Sequence, residues 1–236
     1  MKVTMIGHST VLIEADGKKI LTDPYFGLWG NPAYSRVAPP SRKCEDMKDV
    51  DLVLVSHNHF DHTDPGFFRA LANGVPVVTP RATSWVTWLK GARNVVGLEK
   101  WEEKQFGPIR VTAVPARHVT VTRGFVLRAE GESIYFAGDT YYGNFMKEIG
   151  RKFTVDLALM PVTTFRIPMT MGETSALRAV RDLSPKVVIP IHLGIQPRSP
   201  LMRTRQTPEG FRKRCQEAGL KAEVRVLREG ETWQPS

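Results

Sequence analysis

The sequence is short of the residues that define several protein classes. Its two cysteines, Cys44 and Cys215, stand far apart and form no CxxC pair. That excludes a disulfide scaffold and a cysteine-based zinc site, and it fits a reducing cytoplasm. No apolar run approaches the roughly 18 residues needed to span a bilayer, so no transmembrane segment is expected. Residues 1–9 lack a long apolar stretch and a small-residue cleavage site, so no signal peptide is read there. There is no internal repeat, low-complexity tract or linker-like composition. These absences lead to the expectation of one globular, cytoplasmic domain over residues 1–236.

Acidic residues are also in deficit. Asp and Glu number 24 against 33 Lys and Arg, a net charge of +9. An anionic substrate, a nucleic acid and plain solubility all fit that balance. Six of the nine net charges fall between Arg198 and Arg228. Aromatic interleaving is missing there, with Phe211 standing alone, so nucleic-acid binding is not expected. A solvated helix face is the simpler reading.

What is present begins with short apolar runs. Val3–Ile6, Thr10–Glu14 and Lys18–Leu21 read as strands, the last two joined by the hairpin signal Asp16-Gly17. Asp51–Ser56 is nearly continuous in apolar residues, as in a strand buried on both faces. Val75–Thr79, Ile109–Val114, Gly124–Ala129, Ser133–Ala137, Leu157–Met160, Val187–Ile191 and Val224–Leu227 read likewise. Helices are expected at Gly66–Ala72, capped by Asp64 with Pro65 at the first position, and at Thr83–Leu89, Asn144–Ile149, Thr170–Leu183 and Pro208–Ala218. Strands precede helices in both halves, which implies an α/β fold with two sheets between helix layers. Pro24–Ser41, Pro161–Met171 and Gly194–Thr207 resist assignment and are treated as functional or mobile loops.

Histidine is scarce, yet three of the six histidines lie within His57-Asn58-His59-Phe60-Asp61-His62. This segment directly follows the apolar run ending at Ser56. In extended chain His57 and His59 point the same way and can share one ion. Asp61 and His62 come after the chain turns and can reach a second.

This is the HxHxDH signature, and the chain resembles the metallo-β-lactamase superfamily, whose fold is a four-layer αββα sandwich. The resemblance implies that His57, His59 and His118 hold one metal and that Asp61, His62 and His192 hold the other. Asp139, in Phe136-Ala137-Gly138-Asp139-Thr140, would bridge them. Asp23, in Leu21-Thr22-Asp23-Pro24, would hold the ligand loop by hydrogen bonds; a turn-forming Asp before Pro is the plainer alternative. Taken singly, His118 and His192 also suit satisfied core histidines. The hairpin from Gly7 to Glu14 and the run Phe136–Tyr142 look like the branch containing N-acyl-phosphatidylethanolamine phospholipase D and ascorbate-6-phosphate lactonase. The phospholipase family carries an extra N-terminal region not seen in this sequence, so a membrane-lipid substrate is not expected.

The resemblance implies a dinuclear hydrolase in which a metal-bridging hydroxide attacks an ester. Asp61 is the candidate catalytic residue, positioning the nucleophile and passing a proton to the leaving group. Imidazole-rich ligation favours Zn2+, with Mn2+ or Fe2+ as alternatives. A small, anionic phosphodiester-like substrate is expected, a lactone or phospholactone is the alternative, and a catalytically silent metal-binding scaffold is the reading from another class. Oxygen-reducing diiron relatives carry an acidic ligand where this chain has His59. Association into a homo-oligomer is compatible with the resemblance. His8 and Tyr141 are candidate substrate contacts, His8 alternatively bracing the metal loop, and Tyr141 or Tyr142 a candidate oxyanion donor. Phe26 and Trp29 are candidate cleft walls, and Arg36, Arg42, Arg166 and Arg198 candidate anion contacts.

Overall fold

The computed structural model of the chain describes residues 1–28 and 30–235. Trp29 lies outside the described residues. The first half contributes β1 (Lys2–Gly7), β2 (Thr10–Ala15), β3 (Lys18–Thr22), β4 (Tyr34–Arg36), β5 (Leu52–Leu54), α1 (Pro65–Ala70), β6 (Pro76–Pro80), α2 (Ser84–Leu89) and β7 (Asn94–Leu98). There follow β8 (Glu103–Phe106), β9 (Ile109–Pro115), β10 (Arg123–Ala129), β11 (Glu132–Phe136), α3 (Phe145–Lys152), β12 (Leu157–Pro161), α4 (Glu173–Leu183) and β13 (Val187–Ile191). The chain ends with β14 (Ile195–Pro197), α5 (Pro208–Glu217), β15 (Glu223–Val224) and β16 (Thr232–Trp233).

One sheet runs in the order β16-β1-β2-β3-β5-β6-β7 and the other β15-β13-β12-β11-β10-β9-β8. The two-residue period of each strand decides the layers. Leu52 and Leu54 join Phe125, Leu127, Ile134, Phe136, Leu157, Leu159, Ile189 and Ile191 in a core between the sheets. Val53 and Val55 point the other way and pack with Phe67 and Phe68 of α1. Val126, Tyr135, Ala158, Met160 and Val188 face outward beneath Met146 and Ile149 of α3, Ala176, Ala179, Val180 and Leu183 of α4, and Phe211 and Cys215 of α5. The result is the expected αββα sandwich.

Local signals explain most elements. Asp16 and Gly17 adopt φ of 50° and 69°, as the tight hairpin between β2 and β3 requires. The Asp64 carboxylate accepts from the Gly66 and Phe67 amides at the start of α1. Other expectations shift. The run Val224–Leu227 shrinks to the two-residue β15, and α4 begins at Glu173, three residues later than its pattern suggested. Two of the three irregular segments pair with each other: β4 and β14 form a small antiparallel ladder, Ile195 opposite Arg36.

Strands β3, β5, β6 and β7 are parallel to one another, as are β11, β12, β13 and β15. Parallel strands deliver their carboxyl ends to one edge, where open α/β sheets place their binding loops. Asp23, Ser56, Asp139 and His192 all follow such ends.

Candidate metal centre

The chain leaves β5 at Ser56 and releases His57, His59, Asp61 and His62 in one loop. His118 arrives after β9, Asp139 after β11 and His192 after β13. All seven meet. Asp139 Oδ2 lies 3.1 Å from His192 Nε2, 3.8 Å from His118 Nε2 and 4.0 Å from His57 Nε2. Its Oδ1 lies 3.4 Å from His62 Nε2. Asp61 Oδ2 is 3.8 Å from Nε2 of both His62 and His192. His118 Nε2 and His59 Nδ1 are 3.3 Å apart.

Three donor groups of metal-binding size result among the described residues: His57, His59 and His118; Asp61, His62 and His192 together with His8; and Asp23, His57 and His62, in which the Asp23 oxygens are already taken up by Ser56 and His62 Nδ1. Asp139 lies between the first two. His57 Nε2, His62 Nε2 and Asp139 Oδ1 are buried with no hydrogen-bond partner. Such orphaned atoms are costly unless something outside the protein satisfies them. Convergent imidazole nitrogens and carboxylate oxygens fit divalent cations.

Asp23 explains why the free nitrogens are the Nε2 atoms. Its Oδ1 accepts from the Ser56 amide at 2.6 Å. Its Oδ2 accepts from Ser56 Oγ and faces His62 Nδ1, each at 2.6 Å. A carboxylate only accepts, so His62 carries its proton on Nδ1. The Ser56 hydroxyl, having donated to Asp23, accepts from His57 Nδ1 at 2.9 Å. One buried carboxylate thus fixes the Nδ1 proton of both rings and turns both Nε2 atoms inward, that of His62 open to a ligand once its second proton has left. Sequence reading found Asp23 but missed Ser56, whose relay depends on a contact across 33 residues.

Gly138 belongs to the same device. A Cβ there would fall 2.2 Å from Ser56 Cβ, and its φ is +55°. The left-handed region also holds His8, Asp23 and His192, at φ 62°, 31° and 64°. Left-handed turns cluster at the site, as expected where loops are bent to aim ligands.

Charge follows burial and neighbours. Burial holds His57, His59 and His118 below the ordinary imidazole value, His118 at about 4. Burial would lift Asp61 and Asp139. The histidines oppose it and hold both carboxyls below the usual range, His62 and His8 acting on Asp61, His192 and His62 on Asp139. Burial would also depress His62, but Asp139, Asp23 and Asp61 outweigh it and lift His62 well above its ordinary value.

The expected outer contacts fare differently. His8 is buried, with both ring nitrogens engaged by protein groups, so it has no free face for substrate. Tyr141 approaches His118, ring centres 6.0 Å apart, but its hydroxyl donates to the Pro168 carbonyl. The Tyr142 hydroxyl donates to Asp182 on α4. Phe26 packs on Phe67 in the core rather than lining a cleft. Arg36 donates to the carbonyls of Ala38, Tyr25 and Gly27 and stacks on the Tyr25 ring. Arg198 donates to the Asn31 carbonyl. Arg42 and Arg166 are exposed. In the basic C-terminal stretch, Arg214 pairs with Glu173, Lys213 with Glu217 and Arg225 with Glu223.

Known proteins are similar to this chain in sequence and fold. A family profile described as a beta-lactamase superfamily domain matches residues 18–193. The chain is 32% identical to a UPF0173 metal-dependent hydrolase of Methanopyrus kandleri over an alignment of 246 positions that covers 99% of this chain and 100% of that one. It is 35% identical to another from Pelotomaculum thermopropionicum over an alignment of 245 positions that covers 98% and 99% of the two chains. Among solved structures, Igni18, a metallo hydrolase of the hyperthermophilic archaeon Ignicoccus hospitalis, superposes with TM-score 0.79 at 27% identity, covering 100% of this chain and 99% of that one. An isothiocyanate hydrolase from Delia radicum gut bacteria shares the fold, with TM-score 0.82 at 21% identity over 99% of both chains.

Fold, donor set and relatives define the class, a metal-dependent hydrolase of the metallo-β-lactamase superfamily. Within it, the chain belongs to the UPF0173 metal-dependent hydrolases. Among the described residues, no helix is long and apolar enough to cross a membrane.

Proposed function

We propose that two divalent ions, zinc by preference and manganese or iron otherwise, bind two of the donor groups and that the protein hydrolyses a small ester-like substrate. His57, His59 and His118 hold one ion, Asp61, His62 and His192 the other, and Asp139 serves both. The observation that carries this reading is the set of buried, partnerless atoms, His57 Nε2, His62 Nε2 and Asp139 Oδ1, turned toward one another. When bound, such ions supply Lewis-acid polarisation and a water acidic enough to act near neutral pH. Asp61, held ionised by its histidine neighbours, orients the attacking water and relays its proton to the leaving group. Asp23 and Ser56 hold the imidazoles in the ligating tautomer.

A phosphodiester or other anionic ester is the first substrate class. A neutral lactone gains support from one observation: Arg198, a candidate anion contact, is bonded to a backbone carbonyl. The motif likeness to the branch of phospholipase and phospholactonase enzymes is compatible with both. The complete donor set speaks against a silent scaffold.

The test is metal analysis of the purified protein together with hydrolysis of bis-p-nitrophenyl phosphate, a simple lactone and an isothiocyanate, the last because a fold neighbour hydrolyses one. Two metals per chain, and turnover lost in Asp61→Ala, are expected. Fewer than one metal after zinc addition overturns the two-ion reading, and no metal-dependent turnover across the panel favours a scaffold.

A further inference from the structure

His8 is the sixth histidine and falls within metal-binding distance of Asp61, His62 and His192. By distance alone it would count as a fourth ligand of the second ion. Its hydrogen bonds argue otherwise. The Gly194 amide points at His8 Nδ1 across 3.1 Å. A backbone N–H only donates, so Nδ1 must be the acceptor and the ring proton sits on Nε2. That atom lies 3.2 Å from Asp61 Oδ2, a carboxylate that accepts. An Nε2 bearing a proton has no lone pair for a metal. Two of the proposed ligating rings, His57 and His62, show the opposite arrangement, with Nδ1 donating toward Ser56 or Asp23 and Nε2 without a hydrogen-bond partner.

We infer that His8 is a positioning residue, whose Nε2–H fixes the carboxylate of Asp61, and that it is not a metal ligand. The chain builds a clasp to hold this ring. The His192 amide donates to the His8 carbonyl at 3.1 Å. Gly194 lies so close that a Cβ would meet His8 Cα and N at 2.9 Å, so no other residue lets its amide reach Nδ1. The ring is buried against His192, centroids 4.3 Å apart, and Tyr25, 5.9 Å apart. Through this clasp the GHS turn before β2 and the HLG turn after β13 are set by one imidazole. The other groups facing it are Asp61 and His62.

The inference rests on the two-ion reading only for its consequence, not for the tautomer. The tautomer is read by long-range proton–nitrogen NMR on protein labelled with 15N-histidine, metal-free and zinc-loaded, His8 being assigned by its loss in His8→Gln. A proton on Nε2 in both forms is expected. A proton on Nδ1, or a zinc-shifted Nε2, overturns the inference. Its consequence is tested by zinc competition with a chromophoric chelator on two variants. Asn accepts from Gly194 and tolerates the left-handed backbone, but its amide falls short of Asp61. Gln reaches Asp61 and donates to it. Expected is a loss of about 10–100-fold in affinity for the second zinc in His8→Asn, largely restored in His8→Gln. A merely structural role predicts the reverse order, and that order overturns the inference. If wild type binds fewer than two zinc ions, the two-ion reading fails while the tautomer measurement still decides the role of His8.

Discussion

Asp23→Asn is the sharpest test of how the site is wired. The carboxylate accepts three hydrogen bonds of 2.6 Å, from the Ser56 amide, the Ser56 hydroxyl and His62 Nδ1. Asparagine is nearly the same shape and tolerates the φ of 31° at this position. Only the amide oxygen can accept from the Ser56 N–H, so the amide nitrogen must take the place of Oδ2. It then donates to His62 Nδ1 and to Ser56 Oγ. The His62 proton is forced to Nε2. The Ser56 hydroxyl turns to His57 and forces that proton to Nε2 as well. Both metal-facing lone pairs are lost through one isosteric change. Removing a hydrogen-bond partner of a metal ligand costs about 10–100-fold in affinity, or about 1.4–2.7 kcal/mol. Here the cost falls on one ligand in each donor group, so both ions weaken together. Competition with a chelator measures this, and the melting temperature of the metal-free protein checks that the fold survives. Retention of both affinities, or loss of one ion alone, refutes the relay.

Gly138→Ala sets a Cβ against Ser56 at a left-handed φ. A cost of about 1–3 kcal/mol from backbone strain alone is expected as a drop of several degrees in melting temperature; no shift contradicts the close approach. Chelation removes whatever stability the ions confer, about 4 kcal/mol per site when free metal exceeds its Kd a thousandfold. Scanning calorimetry with and without chelator reads it, and an unchanged melting temperature counts against the centre. In the metal-free protein His62 is charged at neutral pH, because its carboxylate neighbours outweigh its burial. Zinc must displace that proton, so uptake releases about one proton per chain at pH 7. Affinity therefore climbs as pH rises toward the His62 range and falls as pH drops; a pH-indicator titration showing no release argues against His62 as ligand.

The sequence made the donors legible because a rare residue type is concentrated in them. Five of the six histidines were placed by HxHxDH and its companions, and the structure brings those residues together. The layers were legible for a similar reason. Runs such as Asp51–Ser56 are apolar on both faces, and only a sheet covered on both sides accommodates them. Long-range pairing was not legible. Nothing local in Tyr34–Arg36 announces Ile195–Pro197 as its partner, and these strands are too short to show a period. The fate of the arginines was hidden likewise, since a guanidinium bonded to carbonyls and one open to an anion look identical in a sequence. Ser56 reads as an ordinary strand end until Asp23 is seen beside it.

The last residues tie the two sheets to each other. After α5 the chain lays β15 on the edge of the second sheet and then crosses to lay β16 on β1 at the edge of the first. The His8–Gly194 contact and the β4–β14 ladder make the same crossing at the metal edge. Neither sheet can peel away without breaking hydrogen bonds at both ends of the sandwich. Hydrogen exchange in the two sheets is therefore expected to report one opening free energy, with no half of the molecule surviving the other.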